Sequence, residues 1–291
     1  MKVRQFKQLA GLSFEKRLPL LVEGLEAIAG NIARIAGELT ACGGKDMVRA
    51  TRLLRNVGQE EAGKFLILID SCRAPHSDGR AISRQFQRAG NHLAKLIYAQ
   101  MADYSITSRE EMVDLIEMHR KELHLDGPND FDFIFRNELI SERESTLYVD
   151  LVDSEGELEW WAPSEYAVPM GVSRPMILVQ ALVETGIVSP AGLRLLRDAW
   201  SGFNPLADSH YSEWAKRSSS ALETFATQHM VDEAWSKAAS RVVHLWPMPL
   251  VELDISEVEV KVEELVIERA EKYKNFLASE FGFDYSDCYQ R

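Results

Sequence analysis

The sequence predicts a mainly α-helical protein that carries one small β-hairpin. Two observations point there. Apolar residues recur every three or four positions through most of the chain, and a strict alternation of period two occurs in a single stretch. With 291 residues, 46% of them hydrophobic and 27% charged, the chain can build one large domain or two ordinary ones.

Pro19 suits a first helical turn, and from there to Cys42 the residues Leu21, Leu25, Ile28, Ile32, Ile35 and Leu39 keep helical spacing until Gly43-Gly44 stops the run. A second helix is predicted over 46–73 and a third over 78–104, with Ala74-Pro75-His76 as the breaker between them. Thr107 and Glu110 form a capping box for a fourth helix, which ends before Asp126-Gly127-Pro128, and a fifth covers 131–144. Next, Leu147, Val149 and Leu151 alternate with Tyr148, Asp150 and Val152. Asp153 to Gly156 makes a turn, and Leu158, Trp160 and Trp161 follow, so a hairpin is predicted over 146–162. Helical patterning returns over 174–185, 190–200, 209–228, 231–245 and 256–281. Pro163, Pro169 and Gly171 mark a boundary, dividing a helical domain with its hairpin (1–165) from a helical C-terminal region (166–291).

Composition excludes several classes of protein. Cys42, Cys72 and Cys288 are odd in number, far apart and free of C-x-x-C spacing, so neither a disulfide framework nor a zinc knuckle is expected. The N-terminus lacks an uninterrupted apolar core, and no apolar run reaches the roughly 18 to 20 residues of a bilayer span. A cytoplasmic protein without a membrane partner is expected. A net charge of −12 opposes general affinity for nucleic acid, so contact with RNA requires a local basic patch. Between Arg73 and Lys95, the cations Arg73, Arg80, Arg84, Arg88 and Lys95 stand against Asp78 alone. The acidic stretch 252–272 reads as a solvated helix face.

The segment Gly58-Gln-Glu-Glu-Ala-Gly63-Lys64-Phe65 nearly spells a phosphate-binding loop. However, Phe65 removes the hydroxyl that holds magnesium, Glu60 and Glu61 repel phosphate, and the segment lies within a helix. On a helical wheel Leu54, Val57, Leu68 and Cys72 define an apolar stripe with Glu61 and Lys64 in its middle. Two readings follow: an ion pair, Glu61 with Lys64 or Glu60 with Lys64, or a polar site between helices. On the third helix Arg84, Arg88, Asn91, His92 and Lys95 gather on one flank, beside an apolar stripe of Ile82, Phe86, Ala89, Leu93 and Leu96. His92 sits on the boundary, where an imidazole serves as general acid or base or simply bonds a neighbouring helix. Arg88, one turn earlier, offers a fork of donors suited to phosphate. No H-E-x-x-H, no Glu three residues before any histidine and no G-x-S-x-G occurs, so no metal and no cofactor is expected.

Ala50-Thr51-Arg52-Leu53-Leu54 followed by Gln59-Glu60-Glu61-Ala62-Gly63-Lys64-Phe65-Leu66 resembles the A-x-E-E-x-G-K helix of the AbiV-type abortive infection proteins, with Gly58 where that pattern has its first Ala. The stretch from Phe86 to Tyr98, with His92 and Lys95, is similar to their H-x-x-K element. Glu142-Arg143, then Leu147-Tyr148-Val149-Asp150 and Trp161-Ala162-Pro163, resembles their R…LYVD…W-x-x-P hairpin, although Pro163 follows Trp160 by three residues and Trp161 by two. The resemblance spans roughly residues 20 to 165. It implies a HEPN-like helical bundle that forms homodimers and a metal-independent endoribonuclease acting on single-stranded RNA in phage defence. In that chemistry an arginine and a histidine, about four to six residues apart, flank the scissile phosphate. Here Arg88 and Arg84 precede His92 with other spacings. The resemblance and the basic flank together assign His92, Arg88, Glu60 and Lys64 to catalysis and Arg84, Asn91 and Lys95 to RNA binding, with Glu61 either structural or orienting the site. The alternative is a non-catalytic defence or regulatory protein that binds a phage or host protein.

Overall fold

The apolar stripe Leu18, Leu21, Leu25, Ile32, Ile35 and Leu39 is buried along one side of helix α2 (Phe14–Ala41) in the computed structural model. The structure describes residues 6–42, 47–74, 79–121, 138–154, 157–161, 171–204 and 210–258, with residues 267, 270, 271 and 274. The chain is mainly helical. Before α2 stands the short α1 (Phe6–Ala10), and after it come α3 (Val48–Arg73), α4 (Gly79–Arg88), α5 (His92–Asp103), α6 (Arg109–Lys121) and α7 (Glu138–Leu147). Strands β1 (Asp150–Ser154) and β2 (Glu157–Trp161) pair antiparallel, Leu151 opposite Trp160. Four more helices follow, α8 (Arg174–Glu184), α9 (Pro190–Trp200), α10 (Tyr211–Gln228) and α11 (Glu233–Leu245).

Three local expectations are corrected. Helix α2 starts at Phe14, with Pro19 inside it and not in its first turn. The buried Arg17 explains the early start, because its guanidinium donates to the carbonyl oxygens of Leu9 (2.9 Å) and Leu12 (2.7 Å), tying α1 to the new helix. The expected helix over 78–104 is two helices, α4 and α5. Gly90 and Asn91 close α4 with turn bonds back to Gln87 and Arg88, and the Asn91 side chain then accepts the Ala94 N–H at 2.8 Å as the N-cap of α5. The fourth helix is capped one residue later than expected. Ser108 accepts the Glu111 N–H (3.2 Å), and Glu111, not Glu110, reaches back to the Thr107 N–H (2.8 Å).

Helix α3 is the centre of the fold, in contact with α2, α4, α5, α7, α8 and α9. Its buried residues include Gly58, Ala62, Phe65, Ile69 and Cys72, while Val57 is exposed. The stripe is therefore rotated from the expected one, and Glu61 and Lys64 lie at its edge. Gly63 fixes the closest approach: a Cβ there would stand 1.8 Å from the Lys95 carbonyl oxygen, so only glycine lets the α5 backbone lie against α3. One core contains Leu21, Phe65, Met176, Leu182 and Leu193 together, so side chains from both of the expected regions, 1–165 and 166–291, fill it.

After α11 the chain runs without regular structure through a buried strap, 246–255, which inserts Met248, Leu250, Leu253 and Ile255 into that core. Backbone carbonyls buried outside helices need donors, and arginines supply them. Arg73 donates to Pro247 (2.9 Å), Arg88 to Leu250 (2.8 Å) and Arg120 to Ser256 (2.6 Å). Arg73 also bonds Asp70 and stacks between the rings of Trp200 and Trp246. Burial pushes the Asp70 carboxyl up to about 6, although Arg73 draws it down.

No helix among the described residues is long and apolar enough to cross a membrane. The expected helical residues 131–137 and Cys288 lie outside the described residues, as does nearly all of the expected helix over 256–281.

Candidate functional site

Glu60 of α3 is the hub of a four-residue polar cluster. Because α5 crosses α3 at Gly63, the first turn of α5 brings two side chains to this carboxylate. His92 Nδ1 lies 2.8 Å from Glu60 Oε2, and Lys95 Nζ donates to the same oxygen at 2.6 Å. From α7, the Arg143 Nε–H donates to the other oxygen, Oε1. Asn56, one turn before Glu60, donates to Thr146 Oγ1 at 3.3 Å and so holds α7 in register with α3.

Burial grades across the cluster. The side chains of Lys95 and Glu60 are 7% and 13% exposed, Arg143 is 25% exposed and His92 is 41% exposed. Burial alone would raise the Glu60 carboxyl, but the bonds from Lys95, His92 and Arg143 outweigh it and hold the group at about 2. Glu60 is thus an anion at neutral pH. His92 meets it through Nδ1, so Nε2 is the ring nitrogen turned away from the carboxylate. Lys95 Nζ stands 3.3 Å from Nδ1, converging on the same oxygen. Nothing among the described residues occupies the two terminal nitrogens of Arg143. The arrangement places an imidazole and a guanidinium on the two oxygens of one largely buried carboxylate.

The structure gathers Glu60, His92 and Lys95 from the expected residues and sends the others elsewhere. Arg88 is a correction: it is 8% exposed and donates to the carbonyl oxygens of Leu250, Val251 and Leu253. The break at Gly90 removes the expected one-turn relation between Arg88 and His92, because the two now belong to different helices. Arg84 stays exposed on α4. Asn91 is spent on capping α5. Lys64 pairs with Glu61 and not with Glu60, each of these side chains being 20% exposed. The expected basic patch from Arg73 to Lys95 is not a surface patch, because Arg73, Arg88 and Lys95 are all buried.

Arg143 was missed as a site residue. Its signal lay in the Glu142-Arg143 pair ahead of the hairpin pattern, but 83 residues separate it from Glu60 and no helical spacing links them. Among the described residues no group of three or more His, Cys, Asp or Glu is placed to hold a metal ion. No family model, no curated protein and no solved structure matches this chain.

Proposed function

We propose that this protein is a metal-independent endoribonuclease of the HEPN type, acting in phage defence on single-stranded RNA, with its N-terminal helices forming a HEPN-like bundle. The observation that carries the reading is the Glu60–His92 contact with Arg143 beside it, an oriented imidazole next to a guanidinium whose terminal nitrogens have no partner among the described residues. His92 Nε2 takes the proton of a ribose 2′-hydroxyl. The 2′ oxygen bonds to phosphorus, the bond from phosphorus to the 5′ oxygen breaks, and water protonates the departing oxygen. Arg143 replaces Arg88 as the group that meets the charge developing on the phosphoryl oxygens. Lys95 and Glu60 keep the imidazole in one tautomer and orientation. The products are a 2′,3′-cyclic phosphate and a 5′-hydroxyl.

The test uses purified protein and mixed cellular RNA, with and without EDTA, alone and after addition of extract from phage-infected cells. Cleavage that EDTA leaves intact, falling about 100-fold or more in both His92→Ala and Arg143→Ala, is expected. RNA that stays whole in every condition overturns the reading in favour of a non-catalytic protein that binds a phage or host protein.

A further inference from the structure

Arg49, Arg52 and Arg55 follow one another along the first turns of α3, and Arg174 opens α8. Arg55 donates to the Gly171 carbonyl oxygen (3.1 Å) and Arg174 to that of Asp103 (2.7 Å). Burial raises the Asp103 carboxyl, and the charges of Arg55 and Arg174 draw it back, so both guanidinium groups act on this one carboxylate. Asp103 in turn accepts a bond from Gln59 (3.4 Å), the residue next to Glu60.

Arg49 and Arg52 have no hydrogen-bond or ion-pair partner among the described residues. The helix dipole disfavours a cation in a first helical turn, and the first turn of α3 holds no acidic residue to offset Arg49. Among the described residues these two side chains therefore make no bond that would offset their place at the start of the helix. At 100° per residue Arg49, Arg52, Asn56 and Glu60 fall within about 80° of one another on α3. The rise from Arg49 to Glu60 is about 16 Å. A local excess of positive charge thus leads along one side of α3 toward the polar cluster, in a chain whose net charge is −12.

We infer that Arg49, Arg52, Arg55 and Arg174 grip the phosphate backbone of a single RNA strand whose scissile phosphate lies at His92 and Arg143. The strand's identity rests on the ribonuclease reading, while the grip itself is a binding property that can be measured without cleavage. Arg49 and Arg52, which have no partner among the described residues, supply most of it. Such contacts are indifferent to sequence and sensitive to salt.

The experiment measures fluorescence anisotropy of a labelled 2′-O-methyl RNA of roughly 12 nucleotides, which cannot be cleaved, across a salt series. It compares the wild type with the Arg49→Glu, Arg52→Glu double variant, each checked by circular dichroism. A second pair, Arg49→Gln with Arg52→Gln, serves if charge reversal prevents folding. The paired arginine variant is expected to bind about tenfold more weakly or worse, and its slope of log affinity against log salt to fall by about 1.4, or about 0.7 for each lost contact. If the wild type cleaves RNA and the arginine pair leaves affinity and slope unchanged, the grip is overturned and the ribonuclease reading stands. Arginine-dependent binding, with cellular RNA left whole in every condition of the cleavage assay, supports the grip and removes the nuclease. A wild type that does not bind RNA overturns the grip.

Discussion

Replacing Glu60 by glutamine keeps the shape of the side chain and removes the charge on which Lys95, His92 and Arg143 converge. The fall of its pKa from 4.5 to about 2 corresponds to on the order of 3 kcal/mol of preference for the anion in the folded protein. A carboxyl whose pKa is depressed by folding contributes this stability in full above the unfolded value and loses it as pH falls through the folded one. Glu60→Gln is therefore expected to cost about 3 kcal/mol near pH 7, and the gap to the wild type should shrink between pH 4.5 and about 2. An independent line gives a similar size, since the ammonium of the buried Lys95 loses its counter-charge, and breaking a buried ion pair costs about 3–5 kcal/mol. The assay is urea unfolding of both proteins at about pH 7, 4 and 3, compared through midpoints at constant slope. A glutamine variant within about 0.5 kcal/mol of the wild type near pH 7, or a gap that does not narrow with acid, would refute the cluster as described.

Two further substitutions separate architecture from chemistry. Gly63→Ala sets a Cβ against the Lys95 carbonyl oxygen and must push α5 off α3; a loss of about 1–3 kcal/mol or more is expected, read by denaturant melts, and an unchanged midpoint would mean that the helices do not meet there. Arg88→Ala removes the donors that hold the strap at Leu250, Val251 and Leu253. It should lower thermal stability by several degrees, the cost of leaving buried carbonyls unpaired being about 1–3 kcal/mol, whereas Arg143→Ala should lower RNA cleavage at little cost to melting temperature. Equal melting temperatures for the two arginine variants would count against the separate roles given to them.

How much was legible in the sequence differs from element to element. The expected helices over 174–185, 190–200, 209–228 and 231–245 correspond closely to α8, α9, α10 and α11, because Pro175, Pro190, Gly186 and the apolar spacing act within one or two turns of the residues they affect. Gly90-Asn91 carried a comparable signal, a breaker followed by a cap, but the apolar stripe continues across it from Phe86 to Leu93. Periodicity records which face is buried and does not register a change of axis. Likewise the capping pattern pointed to Thr107 with Glu110, and only the geometry of the turn selects Ser108 and Glu111.

By itself the sequence determined the helical class, the positions of most helices, and the place of His92 beside an apolar face. Which charges meet was decided by tertiary structure alone. Arg88 and Arg143 are both arginines at helix surfaces, and nothing local tells them apart. One reaches the carbonyls of a strap more than 160 positions away, and the other reaches a carboxylate 83 positions back. The reason is physical. Secondary structure follows from interactions within a few residues, whereas a buried cation takes whichever acceptor the packing brings to it, and that packing depends on contacts such as Gly63 against Lys95 that no spacing rule contains.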